Sequence, residues 1–392
     1  MIKDYLPGGV PLGSLKLCLF FTYGVSLKTW DESGIFESEV LLYKELLKLG
    51  VEVSFFTYGD ESDLNYTGQL SGIKIIPAYT SLNKKKNSKL RFLNSFFLAF
   101  KFKKEFSRYD ILKTNQMWGA WVPLVAKWLT GKKLIVRCGF EHYYTLLKEK
   151  WPILERNFFY LFSLLAYHYS DLIVVSTAKI AEFVSKSFFI KPEKIRLQPS
   201  LIDIQLFGSK DKPVESTDRI IFVGRLSREK NLVSLIQASK ESGVGLDMVG
   251  AGSLKDELRE AAGKISLDAR FFDTLPNKEI PRFLSNYEIF VLPSLYEGNP
   301  KALLEAMSCG KAVIGTDIEG IRGIIKDGEN GILCGTSAGE ISKAILKLKK
   351  DPELRKKIQN GARKFIEENL NMNKIVEGEL KLYEEVNKKV VI

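Results

Sequence analysis

The sequence predicts an α/β protein with two doubly wound domains, each built on a parallel sheet. Short apolar runs rich in β-branched residues alternate with amphipathic stretches of helix length along most of the chain, which is the pattern of βαβ units. A length of 392 residues favours two domains. Near the middle, the segment Gln198–Asp218 is rich in Pro, Gly, Ser and charges, and it predicts a linker between them.

In the first half, strands are predicted at LKLCLFF, VEVSFFTY, KLIVRCG and DLIVVS, and the clearest helix is FESEVLLYKELLKLG. The segment NFFYLFSLLAYHYS (Asn157–Ser170) is uncharged over about 14 residues, whereas a membrane span needs about 20. We therefore predict a buried core helix there. The N-terminus lacks the charged and then apolar order of a signal peptide.

The second half repeats the scheme with strands at RIIFVG, LDMVG, IFVLPS and AVIGTD. The helices between them are predicted at NLVSLIQASKESG, SLKDELREAAGKI and ALLEAMSCG. The predicted domains are residues 1–203 and 204–372, followed by a last helix over residues 373–392.

The composition is that of an ordinary globular protein, with 45% hydrophobic and 27% charged residues. The four cysteines are scattered singly without a C-x-x-C spacing, which predicts a reduced, cytoplasmic protein. Two histidines leave little material for a metal site. No D-x-D follows a predicted strand, so we expect no metal and no cofactor.

The net charge of +11 is uneven, with about +10 before residue 200 and about +1 after it. The densest part, Lys84–Lys113, carries roughly eight excess positive charges around the apolar run FLNSFFLAF. This pattern predicts a basic amphipathic helix that can lie on an anionic membrane surface. A core-facing helix with a solvated basic face explains it equally well. Nucleic acid is not an expected partner, because no nucleic-acid-binding motif accompanies the charge.

Because doubly wound sheets bind ligands beyond the carboxyl ends of their strands, the residues that follow the strands matter most. Arg225 and Lys230 follow RIIFVG in the turn GRLSREKN, and two cations there suit a phosphate, although a solvated basic turn is the commoner case. LDMVG is followed by a G-x-G without the third glycine of a dinucleotide fingerprint, which indicates a tight turn more than an NAD site.

The segment EGNPKALLEAMSCG places two glutamates, Glu297 and Glu305, around a predicted helix start. Pro300 suits the first helical position and Gly310 the position after the helix end. Free amides at the start of that helix favour a phosphate. Alternatively, Glu305 pairs with Lys301 on a solvated stripe of the helix.

GRLSREKN, the G-x-G turn and LPSLYEGNPKALLEAMSCGKAVIGTDIEGIRGIIKDGENGIL occur in this order and resemble the C-terminal domain of the retaining glycosyltransferases of family 4, which have the GT-B fold. The resemblance is specific over about residues 219–335 and weaker upstream. It implies two Rossmann-like domains that face a cleft, with the last helix crossing back to the first domain. It also implies a nucleotide-sugar donor carrying UDP or GDP, a glycan or lipid-linked acceptor, and a place in cell-surface polysaccharide or glycolipid synthesis.

The resemblance also implies residue roles. Arg225 and Lys230 would hold the donor diphosphate and stabilise its growing charge, Glu297 would contact the transferred sugar, and Glu305 would accept hydrogen bonds from the ribose. Amides from Asn299 to Ala302 would cap the distal phosphate. The catalytic candidates are thus Glu297, Arg225 and Lys230, and the donor-binding candidates are Gly34, Gly224, Arg225, Lys230, Gly250, Asn299, Lys301, Ala302 and Glu305.

The sequence departs from the family where many relatives have His-Gly after a first-domain strand, because Cys138 and Gly139 stand there. Arg137, Glu141 or His142 are candidates to compensate, which makes Cys138, Glu141 and His142 the acceptor-side candidates. Two alternatives therefore stay open: an epimerase of nucleotide sugars with the same two-domain shape, and a catalytically silent binding partner in a glycan-assembly complex.

Overall fold

A computed structural model of the protein describes residues 15–79, 88–199, 201–208 and 217–388. The chain forms two compact units, Met1–Pro199 with Ile375–Ile392, and Ser200–Lys374. Each unit contains one parallel sheet with helices between successive strands, which confirms the predicted doubly wound α/β architecture. Residues 200 and 209–216 of the predicted linker lie outside the described residues.

The first unit has a seven-stranded sheet in the order β3-β2-β1-β4-β5-β6-β7. Its strands are β1 Lys16–Phe20, β2 Glu52–Thr57, β3 Lys74–Pro77, β4 Ile111–Thr114, β5 Lys133–Cys138, β6 Leu172–Val175 and β7 Ile195–Leu197. Its helices are α1 Leu27–Glu32, α2 Phe36–Lys48, α3 Ser88–Ser95, α4 Leu98–Lys101, α5 Lys103–Phe106, α6 Trp121–Thr130, α7 His142–Lys148, α8 Ile153–Tyr169 and α9 Ala178–Phe188. The inner strands are buried along their length, as the apolar runs predict.

The second unit has a six-stranded sheet in the order β10-β9-β8-β11-β12-β13. Its strands are β8 Ile220–Val223, β9 Leu246–Val249, β10 Ala269–Phe272, β11 Ile289–Leu292, β12 Ala312–Thr316 and β13 Ile332–Cys334. The remaining helices are α10 Ile204–Phe207, α11 Leu232–Ser242, α12 Lys255–Lys264, α13 Ile280–Ser285, α14 Lys301–Ser308, α15 Glu319–Arg322, α16 Ala338–Lys350, α17 Pro352–Asn369 and α18 Met372–Lys388. From Ile375 onwards, α18 belongs to the first unit.

Both sheets reverse their strand order once, between β1 and β4 in the first unit and between β8 and β11 in the second. At such a switch point the loops leaving the two adjacent strands diverge to opposite faces of the sheet, which opens a crevice at the carboxyl edge. In the second unit the loops concerned begin at Gly224 and Pro293. These two loops contain the predicted catalytic residues Arg225, Lys230 and Glu297.

A buried ion pair fastens α18 to the sheet of the first unit. Lys113 lies in the central strand β4, and its Nζ is 2.5 Å from Oε2 of Glu379 on α18 and 3.3 Å from the Tyr383 hydroxyl. Both charged side chains are almost completely buried. Burial lowers the pKa of Lys113, and the neighbouring Glu379 carboxylate opposes that effect. The pair thus joins residues far apart in the chain inside one core.

The amino-terminal edge of the second sheet carries a separate buried polar network. Arg219 precedes β8 and donates from Nε to Oδ1 of Asp247 at 2.6 Å, and it also pairs with Asp268. The Tyr287 hydroxyl donates to the other oxygen of Asp247 at 2.6 Å. Because this network lies at the strand ends opposite the switch-point loops, it holds neighbouring strands together and leaves the carboxyl edge free for ligands.

Two predictions about the first unit are wrong. The segment Lys84–Lys113 is not one amphipathic helix: residues 84–87 lie outside the described residues, and the rest forms α3, α4, α5 and β4. Lys113 is buried in a strand and cannot face a membrane. The segment Asn157–Ser170 forms most of α8, but that helix buries few of its side chains and exposes many apolar ones. Within the described ranges, no helix has both the length and the apolar character that crossing a bilayer requires.

Candidate active site

Two glycine-containing turns lie side by side at the carboxyl ends of β8 and β9. A Cβ atom on Gly250 would lie 2.0 Å from the Gly224 carbonyl oxygen, and one on Gly252 would lie 2.2 Å from the Leu226 carbonyl oxygen. The Leu226 amide donates to the Ala251 carbonyl at 2.9 Å. Only glycine fits at positions 250 and 252 without moving these backbones, so the G-x-G serves close packing of the two turns.

The turn after β8 brings a cation to the loop after β11. Lys230 Nζ lies 2.5 Å from Oε1 of Glu297, and both side chains are mostly buried. The Leu295 amide donates to the Glu229 carbonyl at 2.8 Å, which holds the two loops together. Arg225, in the same turn as Lys230, has an exposed side chain. The structure therefore brings together Lys230 and Glu297, two of the predicted catalytic residues, across the switch point.

Glu297 is held from two further directions by residues that the sequence analysis missed. The Ser294 hydroxyl donates to its Oε1 at 2.6 Å, while the Ser294 carbonyl accepts from the Thr316 hydroxyl at 2.5 Å. Gly320 at the start of α15 lies so close that its Cβ would be 2.3 Å from the Glu297 carbonyl oxygen. A polar residue at a strand end and a glycine beside a helix start are weak signals, because many loops contain both.

We expect the substitution Gly320→Ala to destabilise the second unit and to displace Glu297. The added methyl group would overlap the Glu297 backbone, and overpacking of this kind typically costs about 1–3 kcal/mol. Gly323→Ala is the matched control, since its Cβ meets nothing nearer than a carbonyl oxygen at 3.9 Å. Urea unfolding of both variants checks the prediction, and equal stabilities would contradict it.

The helix start after Glu297 differs in detail from the prediction. Pro300 has ψ of 71°, outside the helical region, so it precedes α14 instead of occupying its first position. The Lys301 amide donates to the Asn299 carbonyl at 2.9 Å and is not free. Among the described residues, the Ala302 amide has no backbone acceptor. Gly310, with φ of +65°, follows the helix end as predicted.

Glu305 lies one turn into α14 and is only 8% exposed. Burial raises the pKa of its carboxyl to about 7, although Lys301 favours the charged form. Ser308 is buried as well, so the alternative of a solvated stripe containing Glu305 is wrong. Within the described part of the chain no hydrogen bond uses the carboxyl oxygens of Glu305, which leaves them available to a ligand.

In the first unit, Gly34 lies in the turn between α1 and α2. Its φ of +69° is in the left-handed region, and its amide donates to the Asp31 carbonyl at 2.9 Å. A side chain at this position would strain the turn, so glycine is required by the backbone itself. The turn presents main-chain atoms close to the surface, because the residues around Gly34 are exposed or half-buried.

The acceptor-side candidates Cys138, Glu141 and His142 surround the end of β5. Cys138 is completely buried, and burial raises the pKa of its thiol. Glu141 caps α7 by accepting the Tyr144 amide at 2.7 Å, and it accepts the Ser163 hydroxyl at 3.0 Å. Burial raises the pKa of Glu141 to about 7 against these hydrogen bonds. The carboxyl of Glu141 is thus engaged in holding α7 and α8.

His142, the first residue of α7, is half-buried. Its ring packs edge-on against Phe159 at a centroid distance of 4.4 Å, and burial lowers the pKa of its imidazole. A neutral ring against an aromatic side chain fits a packing role in this unit. Neither Cys138 nor His142 therefore presents a charged group at this edge of the sheet.

Two family descriptions together match most of the chain. Residues 207–365 match Glycosyl transferases group 1, and residues 39–206 match Glycosyltransferase Family 4. The boundary between the matches falls close to the division between the two compact units. The first match contains the switch-point loops and α14.

Among curated proteins, the chain is 29% identical over 290 residues to the N-acetylgalactosamine-N,N'-diacetylbacillosaminyl-diphospho-undecaprenol 4-alpha-N-acetylgalactosaminyltransferase of Campylobacter jejuni, a match that covers 71% of this chain and 78% of that one. It is 26% identical over 250 residues to the UDP-Gal:alpha-D-GlcNAc-diphosphoundecaprenol alpha-1,3-galactosyltransferase of Escherichia coli, covering 58% of this chain and 62% of the relative. The chain spans about half the length of several other curated relatives. The epimerase and silent-partner alternatives are not favoured by these relatives.

Among solved structures, the Anabaena protein HepE in complex with UDP and glucose superposes with a TM-score of 0.75 at 16% identity, covering 95% of this chain and all of that one. This likeness shows the fold, and it extends over both units. The chain therefore belongs to the glycosyltransferases of family 4 with the GT-B fold.

Proposed function

We propose that the chain transfers a sugar from a UDP- or GDP-sugar to a glycan or lipid-linked acceptor, with retention of the anomeric configuration and without a metal ion. The observation that carries this proposal is the contact of Lys230 with Glu297 at the switch point of the second sheet. A cation and a carboxylate at this point support binding of a sugar diphosphate, beside two turns whose backbones approach closely at Gly224 and Gly250.

In this proposal Arg225 and Lys230 bind the donor diphosphate. Arg225 is exposed and can reach an incoming phosphate, whereas Lys230 is already fixed by Glu297. Fixed cations stabilise the charge that grows on the diphosphate as the bond from the sugar to phosphate breaks. Glu297 then contacts hydroxyl groups of the transferred sugar, and its second carboxylate oxygen is available for that contact.

The remaining donor contacts come from α14. The Ala302 amide, with Asn299 and Lys301 beside it, caps the distal phosphate at the helix start, where the helix dipole favours negative charge. Glu305 accepts hydrogen bonds from the ribose hydroxyls.

The proposed reaction needs no separate nucleophile. The acceptor hydroxyl forms the new bond to the anomeric carbon, the bond to the phosphate oxygen breaks, and that oxygen takes the hydroxyl proton. The nucleoside diphosphate then leaves with that proton on its phosphate. The protein's contribution is orientation and charge stabilisation by Lys230, Arg225 and the amides of α14.

A lipid-linked acceptor is supported by the two bacterial relatives, whose names specify acceptors on diphospho-undecaprenol. We therefore propose a role in cell-surface polysaccharide or glycolipid synthesis, with the chain in the cytoplasm and peripheral to the inner face of the membrane. The excess positive charge of the first half suits such a surface, which carries anionic lipid.

Thermal unfolding in the presence of UDP, GDP, ADP and NAD tests the proposal. One nucleoside diphosphate at 100 times its dissociation constant is expected to stabilise the protein by about 2.7 kcal/mol. NAD is the control, because the G-x-G turn lacks the third glycine of a dinucleotide site. If none of the three diphosphates stabilises the protein, or if NAD stabilises it equally, the proposed donor site is contradicted.

The pH dependence of that binding isolates the role of Glu305. Because its pKa is raised to about 7, the carboxylate that would accept ribose hydroxyls forms only as the pH rises through neutrality. Affinity for the diphosphate is therefore expected to fall by up to about tenfold for each pH unit below 7. Glu305→Gln, which cannot ionise, is expected to bind more weakly at pH 8 and to lose this slope.

Titration calorimetry at pH 6, 7 and 8 on the protein and the Glu305→Gln variant measures both effects. Taking the ratio of the two affinities at each pH removes the titration of the ligand's own phosphate. A constant ratio would show that ionisation of Glu305 does not control nucleotide binding, and a ratio of one at every pH would show that Glu305 does not contribute to that binding.

A further inference from the structure

Helix α8 carries an apolar stripe on its solvent side. Its members recur at intervals of four, three and four residues, so they share one face of the helix. The stripe consists of Leu154, Phe158, Leu161 and Leu165. All four are exposed, and Leu154 is 79% exposed. The buried residues of the helix are Ser163, Ala166 and Tyr167, which are smaller or more polar. The most exposed apolar side chains of α8 therefore face away from the core.

Neighbouring helices extend the stripe into a wider patch. Between ring centroids, Phe92 of α3 lies 6.1 Å from Phe158 of α8, and Phe96, just after α3, lies 6.1 Å from Phe162. Trp121 of α6 contacts Phe162 at 5.6 Å. Helices α3, α6 and α8 therefore pack side by side. Each adds apolar residues on the outside, as does α4: the further members of this patch are Leu93, Phe97, Phe100 and Trp128.

Trp128 is 81% exposed although it is the largest side chain in the patch. It lies seven residues after Trp121, so the two side chains project from the same face of α6. Several large apolar side chains exposed on neighbouring helices of a soluble protein typically mark contact with a partner or a membrane. Tryptophan is also enriched at the boundary between lipid and water.

Basic side chains accompany the patch. Lys101 at the end of α4 and Lys103 and Lys104 in α5 are exposed. Just before α8, Lys148 and Lys150 are exposed on either side of the exposed Glu149. The acidic residue on the exposed part of α8 is Glu155, at its first turn. Apolar side chains bordered by lysines match an anionic bilayer, in which the acyl region takes the apolar residues and the headgroups attract the cations.

We propose that the apolar patch of α3, α4, α6 and α8 inserts into the headgroup and acyl boundary of an anionic bilayer, with α8 lying in the membrane plane. Helix α8 has 17 residues, and a spanning helix needs about 20. Glu155 and Arg156 at one end also favour a position at the surface of the bilayer. The insertion brings the first unit to the lipid, and its relevance to a lipid-linked acceptor rests on the proposed function.

The test is co-sedimentation of the full chain with vesicles of phosphatidylcholine alone and of phosphatidylcholine with 30% phosphatidylglycerol. We expect binding to the anionic vesicles and at least tenfold weaker binding to the neutral ones. The double variant Leu161→Gln/Leu165→Gln is expected to partition at least tenfold less than the wild type. Val233→Gln is the control, since Val233 is an equally exposed apolar residue on α11 of the other unit.

A second variant separates charge from insertion. Lys101→Gln/Lys103→Gln/Lys104→Gln is expected to weaken binding to anionic vesicles several-fold and to reduce its sensitivity to salt. Thermal unfolding is measured on every variant and is expected to be unchanged, because the substituted side chains are all exposed. Nucleoside diphosphate binding is measured on the stripe and lysine variants and is also expected to be unchanged, because none of their substituted residues lies in the second unit. Loss of vesicle binding with intact nucleotide binding therefore concerns the patch and not the donor site.

Three results would overturn the proposal. The first is a wild-type chain that does not bind anionic vesicles at low salt, and the second is a stripe variant that binds them like the wild type. The third is a wild-type dimer that the stripe variant converts into a monomer, which would show that the patch contacts a second copy of the chain. Absence of nucleotide binding alone would contradict the proposed function and leave membrane insertion standing.

Discussion

The substitution Lys230→Met is expected to slow sugar transfer by about 10²–10³-fold, which is the usual effect of removing one fixed group that stabilises transition-state charge. Lys230 is nearly buried and its ammonium lies 2.5 Å from Glu297. The substitution therefore removes a phosphate ligand and leaves the Glu297 carboxylate with the Ser294 hydroxyl as its remaining partner. The substitution therefore affects both the contact with the diphosphate and the carboxylate that contacts the transferred sugar.

Initial rates with the nucleotide sugar whose diphosphate binds give the measurement. Arg228→Met is the matched control, because Arg228 lies in the same turn with an exposed side chain and forms no contact with Glu297. Glu297→Gln and the double variant complete a double-mutant cycle. If Lys230 and Glu297 act as one unit, the double variant is expected to be little slower than Lys230→Met. A Lys230→Met rate within threefold of the wild-type rate would refute the role of Lys230 in sugar transfer.

The second large effect concerns stability: Glu379→Ala is expected to lower the free energy of unfolding of the first unit by about 3–5 kcal/mol. The reason is that Lys113 would be buried in the core without its carboxylate partner, and breaking a buried ion pair from one side typically costs this much. Urea unfolding followed by tryptophan fluorescence reports on the first unit, where all five tryptophans lie.

A paired replacement and a surface pair give the controls. Lys113→Met/Glu379→Leu removes both charges at once and is expected to recover most of the lost stability. Glu385→Ala breaks the partly exposed pair with Arg196, and its expected cost is at most about 1 kcal/mol. A Glu379→Ala variant no less stable than Glu385→Ala would show that the buried pair contributes little.

The alternation of strands and helices was predictable because the buried strands of a parallel sheet are short and almost wholly apolar. RIIFVG, LDMVG and IFVLPS contain β8, β9 and β11, and their flanking glycines and prolines mark where each strand ends. The order of the strands was not predictable from the alternation. It follows from which face each helix covers, and that is decided by packing between segments distant in sequence.

The candidate site was predictable in its composition and not in its contacts. The spacing around Glu297 and Glu305 identified the loop and the helix, but the ion pair between Lys230 and Glu297 joins positions 67 residues apart. Burial of Glu305 also escaped prediction, because periodicity gave Lys301, Glu305 and Ser308 a common face without saying what covers it. Tertiary contacts bury that face in the structure.

The same limit explains the error on α8. A short apolar run predicts a segment that packs against other apolar side chains, usually in the core. In α8 the core takes Ser163 and Tyr167, which bond to the buried Glu141 and so require the inner face. The leucines and Phe158 are left on the outer face, so a polar requirement in the core decided the orientation of an apolar helix.

The pair of Lys113 with Glu379 also imposes an order on biosynthesis. The two residues are 266 positions apart, and the whole second unit is synthesised between them. At about 5–20 residues per second a ribosome needs roughly 13–53 s to cover that distance. Once β7 has been synthesised, the nascent first unit has all the strands of its sheet but not α18, and Lys113 has no carboxylate partner from that helix. We expect the first unit to reach its final stability only after the second has been translated, so that chaperones meet an incomplete amino-terminal half on every new chain.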